Sequence, residues 1–373
     1  MKNLTSKELK TKIALIANIP APYREKVYSL IDSKKFIELN VYYCQRLEKG
    51  RKWKLKNSNY NSFFLNSYTL NFGQETHIHL NLKIFKILKE FKPDVVITNG
   101  FALPMVLAFL FSLIYNKKHI SFIDGTVLTE KKLSFFHKLL RKFIFKNSDA
   151  FIGPSNETKN LYKSYNIDDK KIFKSCLAVD NKKFINQVKS FNRKKYDLLF
   201  SGQFIDRKCP LFFVEIVKQL SKIRKNLKVV VIGSGPLEKL FIKNLKKTNA
   251  EIHFKGFVDQ EDLPLIYSNS KIFVMPTKED CWGVVANEAL ASGCPVITTP
   301  YAGIANELII HNVTGYVIHL DSVEWIKKID LLLENKKLYK KMSVNGIKLI
   351  KNYNYIAAAN GILDAIEYSQ NEG

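Results

Sequence analysis

Short β-branched apolar runs alternate with longer helical stretches along nearly all of this sequence. Strand-like runs fall at KIALIAN (12–18), LNVYYC (39–44), DVVITN (94–99), HISFID (119–124) and DAFIGPS (149–155). Five more follow a polar interval: DLLFSG (197–202), KVVVIG (228–233), EIHFKG (251–256), KIFVMPT (271–277) and PVITTP (295–300). Between them stand segments with apolar residues at three- and four-residue spacing, such as LFFVEIVKQLSKI (211–223). Such alternation predicts parallel sheets covered by helices on both faces. Ten runs exceed one comfortable sheet and suit two sheets of about five strands. A length of 373 residues, at roughly 150 per domain, agrees. The expected fold is α/β: two doubly wound domains facing a cleft, with ligands at the carboxyl ends of the strands. The stretch from Asp180 to Tyr196 is basic and lacks a strong core pattern. The expected division is therefore an N-terminal domain over 1–180, a linker over 181–196 and a C-terminal domain over 197–350. A final helix over 351–373 could pack back on the first domain.

Charge narrows the partners. Lysine and arginine number 59 against 34 acidic residues, a net charge of +25. Residues 1–180 hold 31 basic and 15 acidic side chains, and the remainder hold 28 and 19. Nucleic acid, a phosphorylated small molecule or an acidic membrane surface would each complement that excess. Frequent Lys, Ile and Asn, as an AT-rich coding sequence produces, would also account for part of it. The five cysteines (Cys44, Cys176, Cys209, Cys281, Cys294) form no CxxC, and no His pair sits at ligand spacing. A reduced, cytoplasmic chain without a metal site is expected. The opening MKNLTSKELKT is polar and carries no apolar core of a signal peptide. The longest apolar run, Phe101 to Tyr115, is too short to span a bilayer and contains Pro104, so it reads as a buried helix.

The segment richest in chemistry is PTKEDCWGVVANEALASGCPVITTP (276–300). A strand ends, a polar loop carries Glu279 and Asp280, and a helix starts near Gly283. Gly293 and Pro295 then stop it. Asp280 in the loop and Glu288 on the helix can face one ligand, and free amides of Gly283, Val284 and Val285 would suit a phosphate. The bland alternative makes Asp280 a helix cap and Glu288 a solvated helix residue.

This segment resembles the E-x7-E signature of the retaining nucleotide-sugar glycosyltransferases of family 4, which have the GT-B fold of two Rossmann-like domains. Asp280 stands where the first Glu usually stands, one methylene shorter, and Gly283, Glu288, Ala289, Gly293, Pro295 and Val296 match the pattern. The resemblance implies that Glu288 holds the donor ribose, while Asp280 is catalytic, supporting charge near the anomeric carbon. A second block, FSGQFIDRKCP (200–210), is similar to the family's G-R-x-x-x-x-K turn, whose cations clamp the donor diphosphate. Gly202 and Lys208 match; Gln203 replaces the Arg, and Arg207 adds a guanidinium beside Lys208. Two cations at a strand end suit a diphosphate through charge-assisted bonds. VVVIGSGPLEKL (229–240) fails as a dinucleotide fingerprint, because Glu238 holds the third glycine position. It resembles instead the family's G-x-G-P turn through Gly233 and Gly235. HFKGFVD (253–259) matches where Gly256 approaches the donor base, and AGIANELIIHNVTGYVI (302–318) matches through Gly303, Glu307 and Gly315.

The blocks run from Asp197 to Ile318. The first 180 residues match only in architecture and in NIPAPYR (18–24), as expected if the first domain takes a variable acceptor. There Arg24 is the acceptor-side candidate. Relatives place a cleft residue, often His, near the end of the strand HISFIDGT (119–126). Asp124 is nearest to that position and is the second catalytic candidate, or else part of an ordinary Asp-Gly turn, with His119 buried or at the strand start. Two basic clusters remain, QRLEKGRKWKLK (45–56) and KKLSFFHKLLRKFIFK (131–146), the second with six cations and no acid. The second suits an anionic membrane through Lys138, Arg141 and Lys142, or else a packed helix with a solvated basic face. No nucleic-acid reader motif accompanies the charge.

The resemblance implies a retaining hexosyl transfer from a nucleotide-sugar donor to a hydroxyl of a glycan or lipid-linked acceptor, in bacterial surface polysaccharide or lipopolysaccharide synthesis. The nucleotide-sugar is a substrate, and no cofactor is expected. No DxD occurs in the chain, which fits metal-independent chemistry. The enzyme would be cytoplasmic, and peripheral on the inner membrane face if the basic helix meets lipid. A nucleotide-sugar 2-epimerase of similar architecture and a non-enzymatic basic membrane or nucleic-acid adaptor are the competing readings.

Overall fold

The structure is a computed structural model that describes residues 10–48, 51, 53, 57–72 and 76–371. Its first elements are β1 (Thr11–Ala17), α1 (Pro22–Asp32), β2 (Ile37–Tyr43), β3 (Asn61–Phe64), β4 (Tyr68–Phe72) and β5 (Thr76–Leu80). Then come α2 (Ile84–Phe91), β6 (Val95–Asn99), α3 (Leu103–Ile114), β7 (Lys118–Phe122), α4 (Val127–Lys131) and α5 (Phe135–Lys146). The chain continues through β8 (Ala150–Gly153), α6 (Asn156–Ser164), β9 (Ile172–Lys174), α7 (Asn181–Ile185), β10 (Tyr196–Ser201) and α8 (Pro210–Ile223). Next are β11 (Lys228–Ile232), α9 (Glu238–Leu245), β12 (Glu251–Phe254), α10 (Leu263–Ser268), β13 (Ser270–Met275) and α11 (Val285–Ala291). It closes with β14 (Val296–Thr298), β15 (Gly315–Val317), α12 (Ser322–Glu334), α13 (Lys336–Ile350) and α14 (Tyr355–Asn371).

These elements form two compact units. One comprises the chain up to Cys176 together with Tyr355 onward, and the other comprises Leu177–Asn354. The first holds a parallel sheet of order β3-β2-β1-β6-β7-β8-β9 and a separate antiparallel hairpin, β4-β5. The second holds a parallel sheet of order β12-β11-β10-β13-β14-β15. All ten runs read from the sequence are strands. The sheets are larger than five strands because β3, β9 and β15 join at the edges, with only three or four residues each.

The central strands are unbroken apolar runs because both of their faces are covered. In the second unit, Leu198 and Phe200 of β10 pack with Phe213, Ile216, Val217 and Leu220 of α8 and with Val229 and Val231 of β11. Pro210 opens α8, where a missing N–H costs nothing. In the first unit, Ala14, Ile16, Val96 and Tyr42 meet Ile84 and Leu88 of α2 and Met105, Ala108 and Phe111 of α3. The run 101–115 is thus a helix with a buried face, although Leu113, Ile114 and Tyr115 at its end are exposed. Among the described residues, no helix is long and apolar enough to cross a membrane.

One stretch differs from the expected division. Residues 181–196 pack inside the second unit and do not form a free connection. Phe184 is buried, and Asn181 Nδ2 donates to the carbonyls of Ile350 (2.9 Å) and Tyr353 (3.1 Å). Lys194, which adds to the basic look of this stretch, is buried, with Nζ 2.9–3.2 Å from the carbonyls of Ser270, Ser268 and Ser292. The final helix, α14, belongs to the first unit, the domain on which the sequence let it pack back. Ser175 Oγ donates to the Ala358 carbonyl at 2.8 Å, and Phe173 and Tyr368 have ring centroids 5.5 Å apart. Gly361 lets this helix lie directly on the chain after β9, since a Cβ there would stand 1.9 Å from the Lys174 carbonyl oxygen.

Candidate functional site

In the second sheet β10 has β11 on one side and β13 on the other, so the connections leaving β10 and β13 depart in opposite directions. Such a reversal opens a crevice at the carboxyl ends of the strands, where ligands of open α/β sheets bind. The loops after β10 and β13 carry most of the residues singled out from the sequence.

Gly202 and Gln203 follow β10 directly. Gly202 N–H donates to the Ile232 carbonyl at 3.1 Å, and Gly233 N–H donates to the Gly256 carbonyl at 2.8 Å, so three strand ends are stitched side by side. Gly233 has φ +131, and a Cβ on it would meet the Gly202 carbonyl oxygen at 1.9 Å, so only glycine fits this crossing. The next turn brings Arg207 and Lys208 over the loop after β13. Lys208 Nζ is ion-paired with Asp280 Oδ2, with side chains 17% and 12% exposed. Arg207 Nη1 donates to the Glu279 carbonyl at 3.2 Å, and the Arg207 carbonyl accepts from Lys278 N–H at 2.8 Å. Thr277, fully buried, has its hydroxyl shared between the carbonyls of Arg207 (2.9 Å) and Glu279 (2.8 Å). The cations are thus held by one loop against another, and no local sequence signal marks Thr277's part in this.

Asp280 is fixed by its own backbone: its N–H donates to Tyr301 and its carbonyl accepts from Gly303 N–H at 2.8 Å. Gly283 follows as the turn into α11, where backbone bonding starts with Ala286 N–H donating to the Gly283 carbonyl (2.9 Å). Val284 is the residue before the helix and Val285 its first. Trp282 Nε1 donates to Asn287 Oδ1 at 2.9 Å, and Asn287 Nδ2 to the Leu177 carbonyl at 2.8 Å, which locks the start of α11.

Glu288 is buried, not a solvated helix residue. Its Oε2 has no hydrogen-bond partner, and neither has the hydroxyl of Tyr267 on α10, which faces both Glu288 and Ser201 at the end of β10. Burial pushes the Glu288 carboxyl up to about 7, offset in part by the neighbouring Tyr267 hydroxyl. A buried acceptor without a donor is uncommon and marks a place where a ligand hydroxyl would be welcome. Tyr267 escaped the sequence reading because nothing in its short helix marks it as facing an acid.

The first sheet reverses in the same way between β1 and β6, and a cavity of about 160 Å³ opens there. Asn18, Tyr23, Arg24, Trp53, Asn99 and Asp124 are among its lining residues. Arg24 and Asp124, singled out separately, are partners here at 3.6 Å. Arg24 is buried, with Nη1 donating to Ser175 Oγ (2.9 Å) and to the Ser175 carbonyl (3.2 Å), and its guanidinium lies 4.6 Å from the centre of the Phe122 ring. Burial raises the Asp124 carboxyl, and Arg24 pulls it back down. Tyr23 and Trp53 meet edge to face at 6.3 Å. The rest of the basic cluster 45–56 lies partly outside the described residues. His119 is a core residue, between Thr98 Oγ1 (3.0 Å) and Ser148 Oγ (2.8 Å), and burial lowers it to about 3.

Comparison with solved structures gives the class. Anabaena HepE, solved with UDP and glucose, superposes with a TM-score of 0.73 at 13% identity, covering 96% of this chain and 99% of that one. The fold is that of the GT-B glycosyltransferases. Two family models then match the sequence: Glycosyltransferase Family 4 over residues 59–180 and Glycosyl transferases group 1 over residues 181–349. An uncharacterised 41.2 kDa protein of the cps region of Klebsiella pneumoniae is 27% identical over 269 residues, 67% of this chain and 72% of that protein. An uncharacterised glycosyltransferase of Methanocaldococcus jannaschii is 28% identical over 283 residues, 70% of this chain and 72% of its own. The chain belongs to the glycosyltransferases of the group 1 and family 4 type.

Proposed function

We propose that this enzyme moves a hexose, with retention and without a metal ion, from a nucleotide diphosphate sugar to a hydroxyl of a glycan or lipid-linked acceptor. The observation that carries the reading is the convergence of the Lys208–Asp280 pair and the buried Glu288 on the crossover point of the second sheet. The ammonium of Lys208 has three donors, and with one on Asp280 the others remain for the diphosphate. The C1–O bond to the diphosphate breaks, the acceptor oxygen bonds to C1 on the same face, and the acceptor proton leaves with the phosphate oxygen. Lys208, Arg207 and the amides of Gly283, Val284 and Val285 would meet the charge on the departing diphosphate, and Asp280 the charge on the sugar. Glu288 would accept from the ribose hydroxyls, with Gly202, Gln203, Gly233, Gly256 and Gly303 giving the donor close backbone approach. In the first unit, the cavity of Arg24 and Asp124 is the acceptor-side candidate, where Trp53 and Tyr23 offer ring faces to a sugar.

The cps-region relative and the UDP and glucose bound by HepE favour surface-polysaccharide assembly and a uridine donor. The 2-epimerase and adaptor readings draw no support from these likenesses. The test is turnover of UDP-, GDP- and ADP-sugars with a hydroxyl acceptor in the presence of a chelator, with the product's anomeric configuration read by NMR. Retention and full activity without metal support the proposal, and inversion or loss of activity to the chelator overturns it. Asp280→Asn should lower kcat more than it raises donor KM, because its charge acts as the bond breaks.

A further inference from the structure

Helix α5 turns outward what a soluble helix normally covers. Phe135 is 73% exposed, Phe136 78%, Leu139 53% and Phe143 48%. At 3.6 residues per turn these four side chains fall within one arc of about 100°, with Lys138 and Lys142 along one flank of it and Lys146 at its C-terminal end. The opposite face is anchored: Ile144 and Phe145 are buried among Phe109, Phe151, Leu161 and Tyr162. The stripe is therefore a surface of a well-packed helix. Arg141, expected from the sequence among the lipid-facing cations, is engaged elsewhere. It pairs with Glu130 of α4, which also accepts from the Tyr165 hydroxyl, and its guanidinium lies 4.5 Å from the Phe101 ring centre. The lysines are left as the outward charge, and residues 131–146 contain no acid.

We propose that α5 docks this protein on an anionic phospholipid surface, with Phe135, Phe136, Leu139 and Phe143 at the acyl boundary and the three lysines at the headgroups. Charge and shape together choose this occupant. An aromatic stripe beside ammonium groups on flexible stems matches the depth profile of an anionic leaflet. Nucleic acid would satisfy the lysines yet leave Leu139 and much of the stripe in water. A second copy would cover the stripe only by bringing like-charged lysine rows together. The proposal goes beyond the donor-site reading, and neither depends on the other.

Flotation of the full chain with phosphatidylcholine vesicles, with and without phosphatidylglycerol, at low and high salt, tests it. Wild type should float with the anionic vesicles and be weakened by salt. Lys138→Gln, Lys142→Gln and Lys146→Gln together should weaken that binding by about a hundredfold, roughly fivefold per lysine. Phe135→Ser with Phe136→Ser should abolish the part that survives high salt. All five side chains face outward, so both variants should melt with wild type. Phe136→Trp should add a fluorescence component that shifts to the blue on anionic vesicles and not on neutral ones. The proposal is overturned if wild type does not float at low salt, or if both sets of substitutions float undiminished. It is overturned equally if α5 instead governs retention of an oligonucleotide, or a dimer that Phe135→Ser with Phe136→Ser dissolves.

Discussion

The two units use one plan at their crossover points and hold it in place differently. Each has a cation from the connection after one inner strand facing an acid from the loop after a later strand: Lys208 with Asp280, and Arg24 with Asp124. In the second unit the pair is built by two neighbouring loops, partly open to water, and tied by Thr277 and the backbone of Arg207 and Glu279. In the first, the cation is buried and held by Ser175, which is bonded in turn to α14 from the far end of the chain. The lesson concerns division of labour. Lys208 is free to serve a ligand because loops do the structural work, whereas Arg24 is both a wall of its cavity and a clamp of its domain.

That contrast can be broken most forcefully at Arg24. Arg24→Ala removes two charge-assisted bonds and a ring contact from the core, and should cost about 3 kcal/mol of the first unit's stability. Urea unfolding followed separately for each unit should show a shift in the first only; no shift would return Arg24 to a purely ligand-facing role. Gly361→Ala tests the α14 connection. The added methyl meets a backbone carbonyl that cannot swing away, and the loss should be about 2 kcal/mol after the helix-propensity gain of roughly 1 kcal/mol. A variant as stable as wild type would show that α14 does not hold the first site.

Glu288 sharpens the comparison by pH. Its carboxyl ordinarily titrates near 4.5 and here near 7, so the folded chain holds the proton longer. Stability from this group is fully present below about 4.5 and is lost as pH rises through about 7. If Glu288 holds the ribose as proposed, donor affinity has the opposite sign, since an ionised carboxylate could accept from two ribose hydroxyls: it should rise by up to about tenfold per pH unit toward 7 and level off above. A nucleotide-sugar is the right probe, because its diphosphate diester does not titrate in this window. Glu288→Gln should flatten both profiles; persistence of either slope would assign it to another group.

The same contrast explains what the sequence revealed. Ten of the strands, the crossover loops and the 276–300 segment were legible because their signals are local: apolar runs, turn glycines, and acids and cations within a few residues of a strand end. Lys208, Asp280 and Glu288 could be named from such spacing, but not the ion pair across 72 positions or the Tyr267 hydroxyl beside Glu288. In the first unit, Arg24 and Asp124 were separate candidates because their pairing spans 100 positions and Arg24 is held by Ser175 and a helix at the other end of the chain. Lys194 misled for a related reason: a lysine bonded to three carbonyls looks in sequence like a solvated one. The edge strands β3, β9 and β15 are not legible in the sequence because three or four residues carry no measurable period of their own.

On the proposed function, the crossover point of the second sheet holds a nucleotide-sugar diphosphate through Lys208, a cation that the fold can spare. Calorimetric titration of a nucleotide-sugar into wild type and Lys208→Ala, with melting curves of both, tests it most directly. The expected loss is about 10- to 150-fold in affinity, for a charge-assisted contact of roughly 1.5–3 kcal/mol, with little change in melting temperature. Affinity within twofold of wild type, or a loss of affinity that merely follows unfolding, would contradict the account.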